Sequence, residues 1–331
     1  MDLVSEWNKI ANAEPGSAAR HFGDPHAQFE AARSSAIVTP VTQFALLRIH
    51  GSDAQAFLQG QLTCNLDEVT LEQAQFGGYC TPKGRLLANF LLVVTPSGFL
   101  MELSADIAND IVDRLRKFVM RARVTIEPEN GWRMLGVAGP AAPALLEAEP
   151  ADPASGRLPV VKQGGAVIVR LRGNHFLVMS PSEDMPALWD KLAQRAQPVG
   201  ADCWNWVQIR SGVPWITAPT QDQFLPQMIG LDAIGGVSFD KGCFPGQEIV
   251  ARSRYLGEVK RKLRLGHARG TLQARDALFS AGQRCATVLN AAPLPEGGSD
   301  FLAVVGEQAA DQTTQTAEGE IVLWPESARS S

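Results

Sequence analysis

The chain has 331 residues, a formal net charge of −5, 45% hydrophobic and 20% charged residues. That is more chain than one ordinary core needs, with the composition of a globular protein rather than a disordered or fibrous one. The negative balance excludes a bulk electrostatic nucleic-acid binder, and no run of ~20 apolar residues offers a membrane span.

The start, Met1-Asp2-Leu3-Val4-Ser5-Glu6-Trp7, has neither the positive residues nor the apolar run of a signal peptide, so a cytoplasmic protein is expected. Residues 11–30, with Pro15, Gly16, Gly23 and Pro25, show no sustained period and read as a loose arm. From Phe44 the run Phe-Ala-Leu-Leu-Arg-Ile predicts a strand, Gly51 and Ser52 a turn, and Asp53 a cap for a short helix through Phe57 and Leu58.

A weak internal repeat follows. In its first copy Phe90 to Val94 meets the turn Thr95-Pro96-Ser97-Gly98, a strand reaches Leu103, and a helix begins near Ser104, its apolar face Ile107, Ile111, Leu115 and Phe118. In the second, Ala166 to Leu171 meets the turn Arg172-Gly173-Asn174. A strand then runs His175 to Ser180, and Ser182 is expected to cap a helix carrying Leu188, Trp189 and Leu192. Two hairpin-plus-helix units predict a pseudo-duplicated α+β domain, with the Ala- and Pro-rich stretch 147–159 as a surface connection. Trp204 to Gly246 is aromatic and punctuated by Gly and Pro, as pocket-lining segments often are. Beyond Arg264, short apolar runs such as Phe301 to Val305 and Glu320 to Trp324 predict a small all-β domain.

The five cysteines, Cys64, Cys80, Cys203, Cys243 and Cys285, are scattered, odd in number and without a Cys-x-x-Cys pair. That spacing argues against a disulfide framework and against a local zinc or iron–sulfur knuckle, so no metal site is expected. Cys243 stands in Lys241-Gly242-Cys243-Phe244-Pro245-Gly246-Gln247-Glu248, two residues after a cation and just before a predicted helix opening at Gly246-Gln247-Glu248. Both surroundings favour the thiolate, the nucleophilic and ligating form of cysteine. Glu248 and Arg252, four apart, share one helix face. The same residues also fit a tight loop around a buried thiol with a surface ion pair beside it.

The segment 241–248 resembles the signature of the YgfZ family, a branch of the glycine-cleavage T-protein-like folate-binding proteins. The likeness extends to Val250-Ala251-Arg252, Tyr255-Leu256-Gly257 and Lys260-Arg261. Upstream it takes in Gly60-Gln61-Leu62-Thr63, Pro82-Lys83-Gly84-Arg85 and Phe224-Leu225-Pro226-Gln227-Met228. It implies an N-terminal arm over 1–34 and a pseudo-duplicated T-protein-like folate-binding domain over 35–258. The domain would comprise subdomains at about 35–145 and 158–200 and the motif segment 201–258, with a small C-terminal β-barrel domain over 259–331. It also implies a bound tetrahydrofolate or related reduced folate, and support of iron–sulfur enzymes or cluster carriers, including enzymes that modify tRNA. By the same resemblance the key thiol is Cys243, with Lys241, Gln247, Glu248 and Arg252 shaping its surroundings and Phe44 and Trp204 offering flat faces to the pterin.

Two departures weigh against the glycine-cleavage reaction itself. Where T-proteins carry a paired-acid segment, Lys83-Gly84-Arg85 is followed by Leu86-Leu87-Ala88-Asn89, and Arg210 stands two residues before Gly212, where T-proteins place a pterin-contacting glutamate. The competing function is a folate-dependent one-carbon (aminomethyl) transferase. A further reading is weak tRNA contact through Arg252, Arg254, Lys260, Arg261, Lys262 and Arg264, opposed by Glu258, against the commoner meaning of a solvated strand face.

Overall fold

A computed structural model describes residues 19–148, 158–255, 260–307, 314–319 and 321–322. Residues 149–157 of the connection predicted at 147–159, the start of the arm, Leu256-Gly257, Glu258 and Trp324 lie outside the described residues. The chain divides into two compact units built from interleaved segments. The first comprises Met1–Ala54, Asp67–Gln75 and Leu91–Val207, the second Gln55–Leu66, Phe76–Phe90 and Gln208–Ser331.

The first unit opens with α1 (Pro25–Ser34), where a loose arm was expected. Asp24 accepts from the His26 N–H and Pro25 occupies the first turn, which together start a helix. Phe29 and Ala32 are buried, and Trp206 packs on Phe29 with ring centroids 5.3 Å apart. Too few apolar positions mark this helix for a period to show.

The unit's strands are β1 (Ile37–Pro40), β2 (Phe44–His50), β3 (Gln73–Cys80), β4 (Leu86–Thr95), β5 (Gly98–Ser104), β6 (Thr125–Pro128) and β7 (Trp132–Ala138), then β8 (Leu158–Gln163), β9 (Ala166–Arg170), β10 (His175–Pro181) and β11 (Gln197–Pro198). The far ends of β3 and β4, from Phe76 and back to Phe90, belong to the second unit. The sheet order is β11-β1-β7-β10-β9-β8-β3-β4-β5-β2-β6. Within it lie two quartets, β7-β10-β9-β8 and β2-β5-β4-β3, each ordered first, fourth, third, second along the chain. This is the repeat seen in the sequence, now a property of the backbone. The quartets meet at β8 and β3 through the pairs Gln73↔Pro159 and Ala74↔Leu158.

After each quartet's hairpin comes its helix. The first is α3 (Ala108–Val119), entered through a 3-10 turn at Ala105–Ile107 and burying Ile111, Val112 and Leu115. Phe118, expected on the same stripe, is 53% exposed, because it falls in the last turn where the helix leaves the sheet. The second is α5 (Met185–Ala193), which buries Trp189 and Leu192 in a core with Val137, Ile168 and Phe176. Its N-cap is Asp184, not Ser182, whose hydroxyl points to the Asn130 carbonyl. Asp53 directly precedes α2 (Ala54–Gln59), and its carboxylate accepts the Arg123 N–H at 2.8 Å. Between α3 and α5 lies the short α4 (Ala142–Leu146).

From Trp204 the chain is first helical, in α6 (Ala201–Arg210), and only afterwards irregular, with 3-10 turns at Ala218–Thr220 and Pro226–Ile229. The second unit adds α7 (Gln247–Tyr255) and an antiparallel sheet of β12 (Arg261–Ala268), β13 (Ala277–Ser280), β14 (Gln283–Pro293), β15 (Ser299–Gly306), β16 (Thr314–Gln315) and β17 (Ile321–Val322). Its order is β12-β15-β14-β13-β16-β17, and the end strands β12 and β17 approach each other, so the sheet curls toward a barrel around Leu278, Val288, Phe301 and Val305.

Candidate functional site

In the second unit four segments far apart in sequence meet around Cys243. Lys241 reaches the turn after α2, its ammonium donating to the Leu62 carbonyl at 2.7 Å and the Cys64 carbonyl at 2.8 Å while standing 5.7 Å over the Phe244 ring. The cation expected beside the thiol therefore fastens the motif loop to residues 62–64. That turn is itself held. Thr63 accepts the Gly78 N–H at 2.7 Å, donates to the Gly236 carbonyl at 2.6 Å, and its own carbonyl accepts from the Ser238 N–H.

On its other side the loop rests on the turn between β3 and β4. Gly246 has φ +81°, and a Cβ there would lie 2.5 Å from the Gly84 backbone and the Thr81 carbonyl. Gly84, φ +73°, returns the contact against Ile249 and Val250. Two glycines back to back let the backbones meet where side chains would hold them apart. Gln227 donates to the Val250 carbonyl at 2.6 Å and the Leu86 N–H bonds the Phe224 carbonyl, which ties in the fourth segment.

Cys243 projects from this frame exposed, and its sulfur makes no hydrogen bond among the described residues. Cys64, Cys80 and Cys203 are buried, and burial pushes the Cys80 thiol far up and that of Cys203 to about 12. Half-buried Cys285 is raised by the same cause. Gln247 opens α7, and Glu248 and Arg252 pair across one turn at 2.9 Å with 82% and 59% of their side chains in water. A pair so exposed contributes at most about 0.5 kcal/mol, so these two charges serve the surface and not the loop.

Asn89 shows why the paired acids are missing. Its Nδ2 donates to the Pro214 carbonyl at 2.8 Å and its Oδ1 accepts the Ile216 N–H at 2.7 Å. Asn290, on β14, holds the residue between them, accepting the Trp215 N–H at 2.9 Å and donating to its carbonyl at 2.8 Å. An ionised aspartate at 89 would have no donor for Pro214. Arg210 lies 3.7 Å from Asp300, which also bonds His267 Nδ1 at 3.0 Å, so the guanidinium is paired with a carboxylate of β15.

In the first unit Phe44 begins β2 opposite Ser104 and is 6% exposed. Trp204, on α6, is 1% exposed with its six-membered ring against Gly136, where a Cβ would lie 2.6 Å away. The two positions are linked, since Gln43 Nε2 donates to Asn205 Oδ1 at 3.1 Å. Two buried polar atoms here have no hydrogen-bond partner among the described residues, Trp204 Nε1 and Gln43 Oε1, and Glu102 on β5 is 2% exposed. Burial pushes the Glu102 carboxyl up to about 8. Sequence reasoning passed over Glu102, because a single glutamate in a strand reads as a solvent-facing position. The signal was its neighbour β4, apolar on both faces, which marks a sheet covered on both sides.

Among the described residues no three His, Cys, Asp or Glu side chains gather to hold a metal ion, and no helix is long and apolar enough to cross a membrane.

These features define a T-protein-like α+β protein. The GCVT N-terminal domain family matches residues 13–159. Aminomethyltransferase T of the glycine cleavage system from Bartonella henselae superposes with a TM-score of 0.75 at 17% identity, covering 98% of this chain and 96% of that one. The tRNA-modifying protein YgfZ of Edwardsiella ictaluri is 33% identical over 270 residues, 78% of this chain and 81% of the relative. That of Escherichia coli is 32% identical over 281 residues, 82% and 86% of the two chains. The chain belongs to the YgfZ family.

Proposed function

We propose that this protein is a folate-binding accessory factor of the cytoplasm that assembles or maintains iron–sulfur clusters for tRNA-modifying enzymes, with Cys243 as its working thiol. The observation that carries the reading is the contrast among the cysteines. Cys243 alone is exposed, on a loop fastened by Lys241 and by the Gly84–Gly246 contact. The relatives are tRNA-modifying proteins, which supplies the process. One thiolate cannot hold a cluster, which takes about four ligands, so Cys243 acts with the ligands of a partner enzyme or cluster carrier. Gln247, Glu248 and Arg252 border it on α7, where such a partner would meet them.

The folate is assigned to the first unit, where Phe44 and Trp204 offer aromatic surface. The unpartnered Trp204 indole N–H and Gln43 amide oxygen suit a heterocycle bearing both acceptors and donors. When bound, a reduced folate supplies a one-carbon carrier. Exposed Lys260, Arg261, Lys262 and Arg264, the last three on edge strand β12, supply a weak, salt-dependent tRNA contact.

The test is made in cells lacking the protein, by measuring the modified-nucleoside content of bulk tRNA by mass spectrometry. Wild type is expected to restore it and Cys243→Ser to fail at equal protein level. Calorimetry with tetrahydrofolate is expected to show binding by wild type and by Cys243→Ser, and none by Trp204→Ala. Full restoration by Cys243→Ser would remove the thiol from the reading. Release of formaldehyde from a methylated amine by the purified protein would favour one-carbon transfer instead.

A further inference from the structure

Three large apolar side chains are exposed among the described residues, Leu71, Phe118 and Met120, and the last two stand together where α3 ends. Phe118 is 53% exposed and Met120 88%. Around them residues 114–123 carry Arg114, Arg116, Lys117, Arg121 and Arg123 and no acid, in a chain whose net charge is −5. Arg114 lies three and four residues before Lys117 and Phe118, so the three are neighbours on one side of the helix, opposite buried Val112.

Two of the five cations brace this tip. Arg116 donates to the Ile126 carbonyl at 2.8 Å, which ties the helix end to β6. The Arg123 N–H donates to the Asp53 carboxylate at 2.8 Å, with the guanidinium 3.5 Å from the same group. Arg114, Lys117 and Arg121 are exposed, and their side chains make no hydrogen bond or ion pair among the described residues. A helix C-terminus favours cations, which accounts for Lys117. It accounts neither for Arg121, beyond the helix, nor for the two apolar side chains.

The backbone at Met120 is a separate observation. The Ala122 N–H donates to the Val119 carbonyl at 2.8 Å, closing a four-residue turn in which Met120 stands second at φ 45° and ψ −103°. That is the geometry of a type II′ turn, whose second position suits glycine. Here the strained position carries a long apolar side chain and holds it in water. Strain of this kind is kept where the surrounding structure enforces it, and it clusters at functional surfaces.

The chemistry of the patch selects its occupant. Uncommitted cations gathered on an acidic chain complement a polyanion. Lys117 precedes Phe118 and Arg121 follows Met120, so there is no continuous apolar area of the kind a protein interface or a membrane-lying helix buries. A flat ring among cations is the arrangement on which unpaired bases stack, whereas bases in a duplex are already stacked on each other.

We propose that the tip of α3 binds an unpaired stretch of RNA. One base stacks on the Phe118 ring with Met120 packed beside it, and Arg114, Lys117 and Arg121 meet the flanking phosphates. That the RNA is tRNA rests on the function proposed above. The surface belongs to the first unit, whereas the cations of β12 belong to the second.

The experiment is fluorescence anisotropy of the full-length protein with a labelled, unstructured RNA of about 12 nucleotides, the same sequence as a duplex, and unfractionated tRNA, over a range of salt. Wild type is expected to bind the single strand and tRNA and to prefer the single strand to the duplex. Phe118→Leu should bind the single strand ~10-fold more weakly while Phe118→Trp holds or tightens it, a contrast that apolar area alone would not produce. Replacing Lys117 and Arg121 together by glutamine should lower the slope of log affinity against log salt by about 1.4, two contacts at about 0.7 each. Met120→Gly, relieved of strain, should melt roughly 2–4 °C higher and yet bind more weakly, so its loss of binding is not a loss of folding. Equal binding by wild type and Phe118→Leu overturns the inference, as does binding of poly-glutamate or phosphatidylserine vesicles as tightly as RNA. If binding is lost on replacing Lys260, Arg261, Lys262 and Arg264 by glutamine and untouched at Phe118 and Met120, the inference falls and tRNA contact through β12 survives. Absence of RNA binding by wild type overturns both contacts and leaves the cellular test of Cys243 standing.

Discussion

Glu102 makes the apoprotein's stability depend on pH in a way one substitution can isolate. The folded protein holds the proton up to about pH 8, whereas a free glutamate releases it near 4.5. The stability associated with that proton is therefore full below pH 4.5 and is lost as pH rises through 8. At roughly 1.4 kcal/mol per pH unit, the loss by pH 7 is about 3 kcal/mol and above pH 8 about 5 kcal/mol. Glu102→Gln keeps the shape and has no proton to lose. Urea unfolding of both proteins without folate, at pH 5, 7 and 8.5, should find them nearly equal at pH 5. The variant should pull ahead by about 3 kcal/mol at pH 7 and further at 8.5. Because both proteins share every other titrating group, including half-buried His175, whose imidazole is lowered to about 4 by desolvation, the difference reports Glu102 alone. A difference that stays flat with pH would refute the claim that this carboxyl is held protonated.

Three other substitutions test the frame around the thiol. Asn89→Asp should cost about 2–4 kcal/mol in urea unfolding, by removing the donor to Pro214 and burying an acid against a carbonyl, without creating formaldehyde-forming activity. Gly246→Ala should lose at least about 1–3 kcal/mol, given its left-handed backbone and the Gly84 contact, while Gly242→Ala, with no atom within 4 Å of its Cβ, should be nearly neutral by thermal melt. Cys243→Ser should stay within about 0.5 kcal/mol of wild type, because the side chain is exposed, so its effect on tRNA modification in cells is readable as chemistry.

The parts of the fold that were legible are those written in local pattern. Strand alternation and the turns Thr95–Gly98 and Arg172–Asn174 marked both hairpins, and the three-and-four spacing of Ile107, Ile111 and Leu115 marked the first helix. The cap was misread at Ser182, because a capping residue type satisfies other partners equally well when tertiary structure brings them near. The interleaving of the two units was not legible, since nothing local records which distant strand a strand will join. Around Cys243 the motif was legible as a string, and so was Lys241, but its partner was not. A cation two residues from a thiol reads as an electrostatic neighbour, and only the backbone of residues 62–64 reveals it as a fastener.

The paired asparagines carry a consequence for how this region tolerates change. Residues 214–216 are gripped through their main-chain atoms, by Asn89 from one side and Asn290 from the other. Main-chain atoms are the same whatever side chain stands above them. The identities at 214 and 216 can therefore drift wherever packing permits, while the two asparagines cannot, because no other uncharged side chain of that length donates and accepts at once. In a saturation library, selection should fall on two positions some two hundred residues apart in the chain and comparatively lightly on the short stretch they enclose.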